Sequence, residues 1–230
     1  MYKFWCVFSS FYLTAFSSQA AVNINMTRVI FNHGETQRTV MLVNDGDYPV
    51  VIQSWIDDGL PERVPSQASA PFVVLPPVLK IQPGEQRELR VMTTGSGLAN
   101  DRESLFWLNV YQIPPEQKQA RNGEKVLLAL RNQIKVLWRP RKIGALTKES
   151  LNLLRFSYAD GGIYAMNDGP WNITLDNVSI GEYSTSGIVV SPYSRQMIFR
   201  SVTPERRNNK INFTVINDEG NRWGTSGVVD

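Results

Sequence analysis

The stretch KVLLALRNQIKVLWRP, Lys125–Pro140, alternates with period two, and one parity reads Val126, Leu128, Leu130, Asn132, Ile134, Val136. Residues two apart on a strand share a face, so the stretch predicts a β-strand carrying a continuous apolar row. The other parity is also apolar near its start, with Leu127 and Ala129. A strand apolar on both faces is either buried on both, or buried on one and offered on the other. Either the Val126, Leu128, Leu130 row packs in the chain's own sandwich, or Leu127 and Ala129 do that work and the row is free for another protein.

The rest of the chain has the same strand character. Short runs rich in β-branched and aromatic residues are broken by Gly, Pro, Asn and Asp. They predict strands at 22–31, 38–43, 49–57, 72–75, 87–93, 104–112 and 125–138. That spacing is the one expected of an immunoglobulin-like sandwich. Arg139-Pro140-Arg141-Lys142 is polar and interrupted by proline, as an inter-domain joint would be. Beyond it, strands are expected at 152–157, 162–166, 172–180, 187–190, 195–202, 210–216 and 226–229, with no helix of ten residues or more. The fold class is therefore all-β: two immunoglobulin-like β-sandwich domains, 21–141 and 142–230.

Residues 1–20 stand apart. Lys3 is followed by an apolar run from Phe4 to Phe16 and a small-residue exit, Ser18-Gln19-Ala20. This reads as a secretory signal cleaved after Ala20, and the run is shorter than the roughly 20 residues a membrane span needs. The single cysteine, Cys6, lies inside it, so the exported chain has neither disulfide nor thiol chemistry. The formal charge of +3 is too mild to imply a nucleic acid or an anionic membrane as partner.

Catalytic chemistry finds little support. The one histidine, His33, sits in the turn-like Asn32-His33-Gly34. A Cys/His pair and a tetrahedral zinc site are excluded, and no glycine-rich phosphate loop is present. No cofactor and no metal are expected. The triplets Asn172-Ile173-Thr174 and Asn212-Phe213-Thr214 match the glycosylation pattern, but frequent Asn and Thr in turns and strands account for them.

Residues 98–115, LANDRESLFWLNVYQIPP, carry a more specific signal. Asp101-Arg102-Glu103-Ser104, then Phe106-Trp107-x-Asn109, then Ile113-Pro114-Pro115 resemble the diagnostic segment of the periplasmic pilus chaperones of the chaperone–usher pathway. Gln53-Ser54-Trp55-Ile56 is similar to that family's third strand with its buried Trp, and Pro76-Pro77 with Gln82-Pro83-Gly84 to its fourth strand and turn. Ile134-Lys135-x-x-x-Arg139-Pro140 resembles the end of the last strand of its first domain. Weaker matches follow at Asn167-x-x-Pro170-Trp171-x-Ile173-Thr174, Ser191-Pro192 and Ile216-Asn217-Asp218-x-Gly220.

The resemblance implies two domains set at an angle, boomerang-like, with a cleft between them. It implies a non-enzymatic chaperone that binds pilin subunits in the periplasm by donor-strand complementation and delivers them to the outer-membrane usher for pilus assembly. Val126, Leu128 and Leu130 would be the donated row. Arg28 and Lys135 would grip the subunit's C-terminal carboxylate. Glu103, Arg139 and Asp218 would form a charge cluster that orients the domains. Val51, Gln53, Pro76, Pro77 and Arg90 would contact the usher, although Val51 replaces the expected Leu. The short loop Glu116–Lys125 and the absence of cysteines resemble the short-loop (F1–G1) class. An exposed apolar edge also invites self-association of the free chain. The competing readings are a secreted immunoglobulin-like binding or adhesin module, needing neither paired cations nor a lendable strand, and a periplasmic hydrolase on a β-sandwich.

Overall fold

A computed structural model describes residues 22–113, 129–201 and 209–230. The first half contains β1 (Val22–Ile24), β2 (Arg28–Asn32), β3 (Gln37–Asn44), β4 (Val50–Asp57), β5 (Phe72–Leu75), β6 (Val78–Ile81), β7 (Gln86–Thr93), β8 (Ser104–Ile113) and β9 (Leu130–Arg139). They form two sheets, ordered β1-β3-β7-β5 and β2-β9-β8-β4-β6. Every pairing is antiparallel except β2 with β9, which is parallel. Phe31, Leu42, Ile52, Ile81, Leu89 and Leu108 fill the space between the sheets. Burying each contributes about 1.5–3 kcal/mol.

The strand expected over 22–31 is two strands in different sheets. Side-chain parity explains the break. Val22 is buried at an even position, Val29 and Phe31 at odd ones. One uninterrupted strand would send these to opposite faces. Breaking at Asn25–Thr27 and changing sheets lets both sets face the same core. Asn25 caps the break, its backbone N donating to Met41 O at 3.2 Å and its Oδ1 accepting from Met41 N at 3.0 Å. A second unforeseen element is β6. Pro76-Pro77 divides β5, at the edge of one sheet, from β6, at the edge of the other.

The second half contains β10 (Leu154–Ala159), β11 (Gly162–Asn167), β12 (Ile173–Ile180), β13 (Tyr183–Val190), β14 (Ser194–Arg200), β15 (Lys210–Ile216) and β16 (Arg222–Val228). Its sheets run β10-β11-β14 and β13-β12-β15-β16. Strands β13 and β16 begin four residues earlier than expected, because Tyr183–Gly187 and Arg222–Ser226 are edge segments with little apolar alternation to announce them. Phe156, Ile163, Leu175, Ile211 and Phe213 form a second core, with Phe156 and Phe213 rings 4.9 Å apart. The two cores share no residue. The first ends at Trp138 and the second begins at Leu146. The fold is thus all-β with two domains.

Candidate functional site

The two domains are joined by a buried charge cluster. Arg139, at the end of β9, is 4% exposed. Its Nε and Nη2 donate to Glu103 Oε1 at 2.9 and 2.7 Å, and its Nη1 and Nη2 donate to Asp218 Oδ2 and Oδ1 at 2.5 and 2.9 Å. Glu103 belongs to the first domain, Asp218 to the turn after β15. The other Glu103 oxygen accepts from Asn172 N at 2.9 Å and Asn172 Nδ2 at 3.2 Å, while Glu103 N donates to Pro170 O at 2.8 Å. Both carboxylate oxygens of Glu103 thus face donors, as a buried carboxylate requires. In the sequence Asn172 stands out only as part of a glycosylation triplet; in the structure its side chain is committed here.

A close backbone approach completes the joint. Gly220 has φ +85°, and a Cβ there would lie 2.8 Å from Thr27 Oγ1 of the first domain. Gly220→Ala is expected to cost about 1–3 kcal/mol through left-handed strain and to push the turn away from Thr27. Calorimetry of the two proteins checks this; equal melting would show that the turn yields freely.

Beside the joint lies an open cleft of about 620 Å³, lined by Thr27, Arg28, Lys135, Thr174, Asp176 and Arg222 among others. Arg28 opens β2 and sits directly opposite Lys135 in the parallel β2–β9 register. The structure therefore brings together two predicted cations that lie far apart in the chain. Arg28 Nη1 donates to Ile216 O at 3.1 Å, but its buried Nε has no partner, nor does the buried Oγ1 of Thr174 on the opposite wall. Lys135 Nζ lies 4.8 Å from the centre of the Trp107 ring. Burial first, and then the neighbouring Arg28 charge, push the Lys135 ammonium down to about 8. Burial likewise pushes Arg28 below its usual range, against the pull of Asp218 and Glu103. Two desolvated like charges thus stand side by side at the cleft.

Strand β9 leads into this cleft. Of the predicted donor row, Val126 and Leu128 lie outside the described residues, as does the loop 116–125. Leu130 is the first residue of β9 and is 38% exposed. Ile134 and Val136, whose destination is open from sequence, are buried in the first core. Of the opposite parity, Leu127 lies outside the described residues, and Ala129 is exposed rather than core-facing. The face carrying Arg131, Gln133 and Lys135 is polar and points away from the core, so the apolar row of β9 and its core row are one face.

That polar face is tied down. Arg131 donates to Asn109 Oδ1 at 2.7 Å, Pro61 O at 2.6 Å and Asp57 Oδ2 at 3.3 Å, and stacks 5.0 Å over the Trp55 ring. Gln133 Nε2 donates to Asn109 Oδ1 at 2.9 Å. Trp55 is half-buried on this outer face, not inside the sandwich, and its indole N–H donates to Asp57 Oδ2 at 2.7 Å. On the far edge, Pro76 and Arg90 line an open groove of about 560 Å³ together with Leu75, Leu79 and Arg87. Pro77 is exposed beside it. Val51 and Gln53 pair with Lys80 and Val78 on β6. Among the described residues no cluster of His, Cys, Asp and Glu could hold a metal.

Comparison with known proteins matches residues 21–144 to the pili and flagellar-assembly chaperone, PapD N-terminal domain, and residues 149–225 to the pili assembly chaperone PapD, C-terminal domain. The chaperone protein HifB of Haemophilus influenzae is 32% identical over 90% of this chain and 88% of its own. The chaperone protein FocC of Escherichia coli is 30% identical over 95% of each. Among solved structures, the Pseudomonas aeruginosa CupB2 chaperone superposes with a TM-score of 0.76 at 26% identity, covering 90% of this chain and 100% of its own. A chain of the Salmonella enterica complex of SafA pilin with the SafB chaperone gives 0.78 at 25% identity, covering 92% and 98%. With both domains matched in order and the clamp and cleft in place between them, the chain belongs to the PapD-type family of pilus-assembly chaperones.

Proposed function

We propose that this chaperone holds a pilin subunit by lending it β9 and by gripping the subunit's C-terminal carboxylate between Arg28 and Lys135. The observation that carries the reading is the half-open edge of β9. Strand β2 pairs only with Lys135–Arg139, and among the described residues Leu130–Ile134 have no strand partner on that side. Open backbone groups template an added strand. The cations stand where the open edge meets the start of β2. A subunit strand whose terminal carboxylate reaches them must therefore run in the direction of β9. It would be parallel to β9 and end to end with β2, and the Val126, Leu128, Leu130 row would fill the subunit's incomplete core. Anchoring the chain end then sets which subunit residue meets each donor residue.

The setting follows from the same reading. Residues 1–20 act as an export signal removed after Ala20, the chain works in the periplasm, and the domains meet at 141–142. The loop 116–125 is of the short class. The loaded chaperone reaches the outer-membrane usher through the surface holding Val51, Gln53, Pro76, Pro77 and Arg90. An adhesin module gains nothing from two desolvated cations set against a β-edge, which is why the chaperone reading is preferred.

Leu130→Asp tests the donor strand. Leu130 is partly exposed at a strand end, so the variant should fold as the wild type. Losing an apolar burial of about 1.5–3 kcal/mol should weaken subunit capture roughly 10- to 100-fold. The check is recovery of a co-expressed pilin subunit from periplasmic extract. Undiminished recovery by the folded variant overturns the lending of this strand.

A further inference from the structure

We propose that Trp107 is a positioning residue for Lys135, holding its ammonium in the cleft with all its N–H donors free for the ligand. This rests on the reading of Lys135 as the carboxylate anchor. The two residues are direct cross-strand partners on β8 and β9, and the ammonium stands 4.8 Å from the ring centre. On its other strand neighbour, Trp107 is the cross-strand partner of Asp57. The turn after Asp57 presses on the ring: Gly59 has φ +87°, and a Cβ there would overlap the pyrrole edge of Trp107. Asp57 fixes that turn by accepting from Gly59 N at 2.8 Å, while its other oxygen is held by Trp55 and Arg131. The indole is therefore wedged between a pinned glycine turn and the lysine stem.

The chemistry explains why an aromatic ring serves here. Lys135 is on a flexible four-carbon stem beside another cation, Arg28, and repulsion favours swinging it out to water. A carboxylate would hold it but would also occupy its donors and compete with an incoming carboxylate. The face of a Trp attracts a cation through its quadrupole and accepts no conventional hydrogen bond. It holds the charge without neutralising it. The other charged groups around the cleft are Arg28 on β2, Asp176 on β12, Arg222 on β16 and the Asp218–Glu219 turn after β15, with Asp176 already accepting from Arg222 Nε at 2.7 Å.

The experiment compares wild type, Trp107→Leu, Trp107→Phe and Lys135→Ala. The titration of Lys135 is followed by NMR of its labelled ε-carbon, assigned by its loss in Lys135→Ala. Binding is measured with a synthetic peptide of a pilin C-terminal strand. Leu keeps an apolar cover but removes the π face. It should lower the titration midpoint by roughly half a pH unit and weaken the peptide about threefold near neutrality, with Phe between Leu and wild type. A folded Trp107→Leu protein that titrates and binds as wild type overturns the proposal; if Leu does not fold, Phe titrating as wild type does so. Wild-type binding by Lys135→Ala would instead overturn the anchor reading, while the titration would still decide the role of Trp107.

Discussion

Replacing both Arg28 and Lys135 by alanine should yield a folded chain that binds a pilin strand ending in a carboxylate no better than the same strand ending in an amide. The wild type should prefer the acid strongly. Truncating one partner of a buried, hydrogen-bonded charge pair costs about 2–5 kcal/mol, or roughly 30- to several thousand-fold in affinity. Stability should hardly suffer, because burial already disfavours both charged forms. The pH dependence follows from Lys135. Its ammonium is held down to about 8 in the folded chain against 10.5 for the free side chain. Between those values the unfolded chain binds more protons, so this group makes folding more favourable as pH rises through that window. Binding moves the other way, since the carboxylate needs the charged lysine: the acid-over-amide preference should fall as pH rises through about 8. Arg28 stays charged there and retains part of it. Asp176, Arg222 and the Asp218–Glu219 turn also face the site. Isothermal titration of both peptides from about pH 6.5 to 9.5 checks both statements. An acid preference that survives in the double variant would remove the anchor from the mechanism.

How much of the molecule is legible in its sequence depends on distance along the chain. Alternation is local, so Ile134 and Val136 announce a strand face, and most strands fall within about two residues of their expected ends. Parity also holds the clue to the break at Asn25–Thr27, since Val22 and Val29 cannot share a face on one strand. Whether a chain flips a face or changes sheets depends on where its partners lie, which no local pattern states. The cleft is harder still. Arg28 and Lys135 meet because β2 runs parallel to β9, a pairing that only the family resemblance suggests. Trp107 and Lys135 meet through the register between β8 and β9, far apart in the chain, and Asn172 reaches Glu103 from the other domain. Edge strands such as β13 are legible only in part, because their exposed serines and threonines carry no apolar rhythm. Ala129, a candidate for the inward face, is exposed for a related reason. The core side of β9 is fixed by its buried end, Ile134 to Trp138, rather than by its apolar start.

Arg139→Met should be strongly destabilising. It leaves Glu103, 3% exposed, and Asp218 side by side with no cation between them. Breaking a buried pair from one side costs about 3–5 kcal/mol. Asn172 still donates twice to Glu103, which places the expected loss toward the lower end. Arg139→Lys should fall in between, because one ammonium cannot fork to both carboxylates as the guanidinium does. Calorimetry should show one transition for the wild type and two for the variant, one for each core, since the clamp is the main polar tie between them. Stability and orientation can then be separated. A neutral triad, Glu103→Gln with Arg139→Met and Asp218→Asn, removes the stranded charges, while the new amide oxygen can still accept from Asn172. Its stability should recover much of the loss, as buried ion clusters often contribute little net stability. Its binding of pilin peptide should not recover, because Arg28 and Lys135 come from one domain and Thr174 from the other, and the clamp is the main polar tie that sets the width between them. A neutral triad that is stable and also binds normally would show that the cleft is shaped by the Thr27–Gly220 contact and the Arg28–Ile216 bond alone.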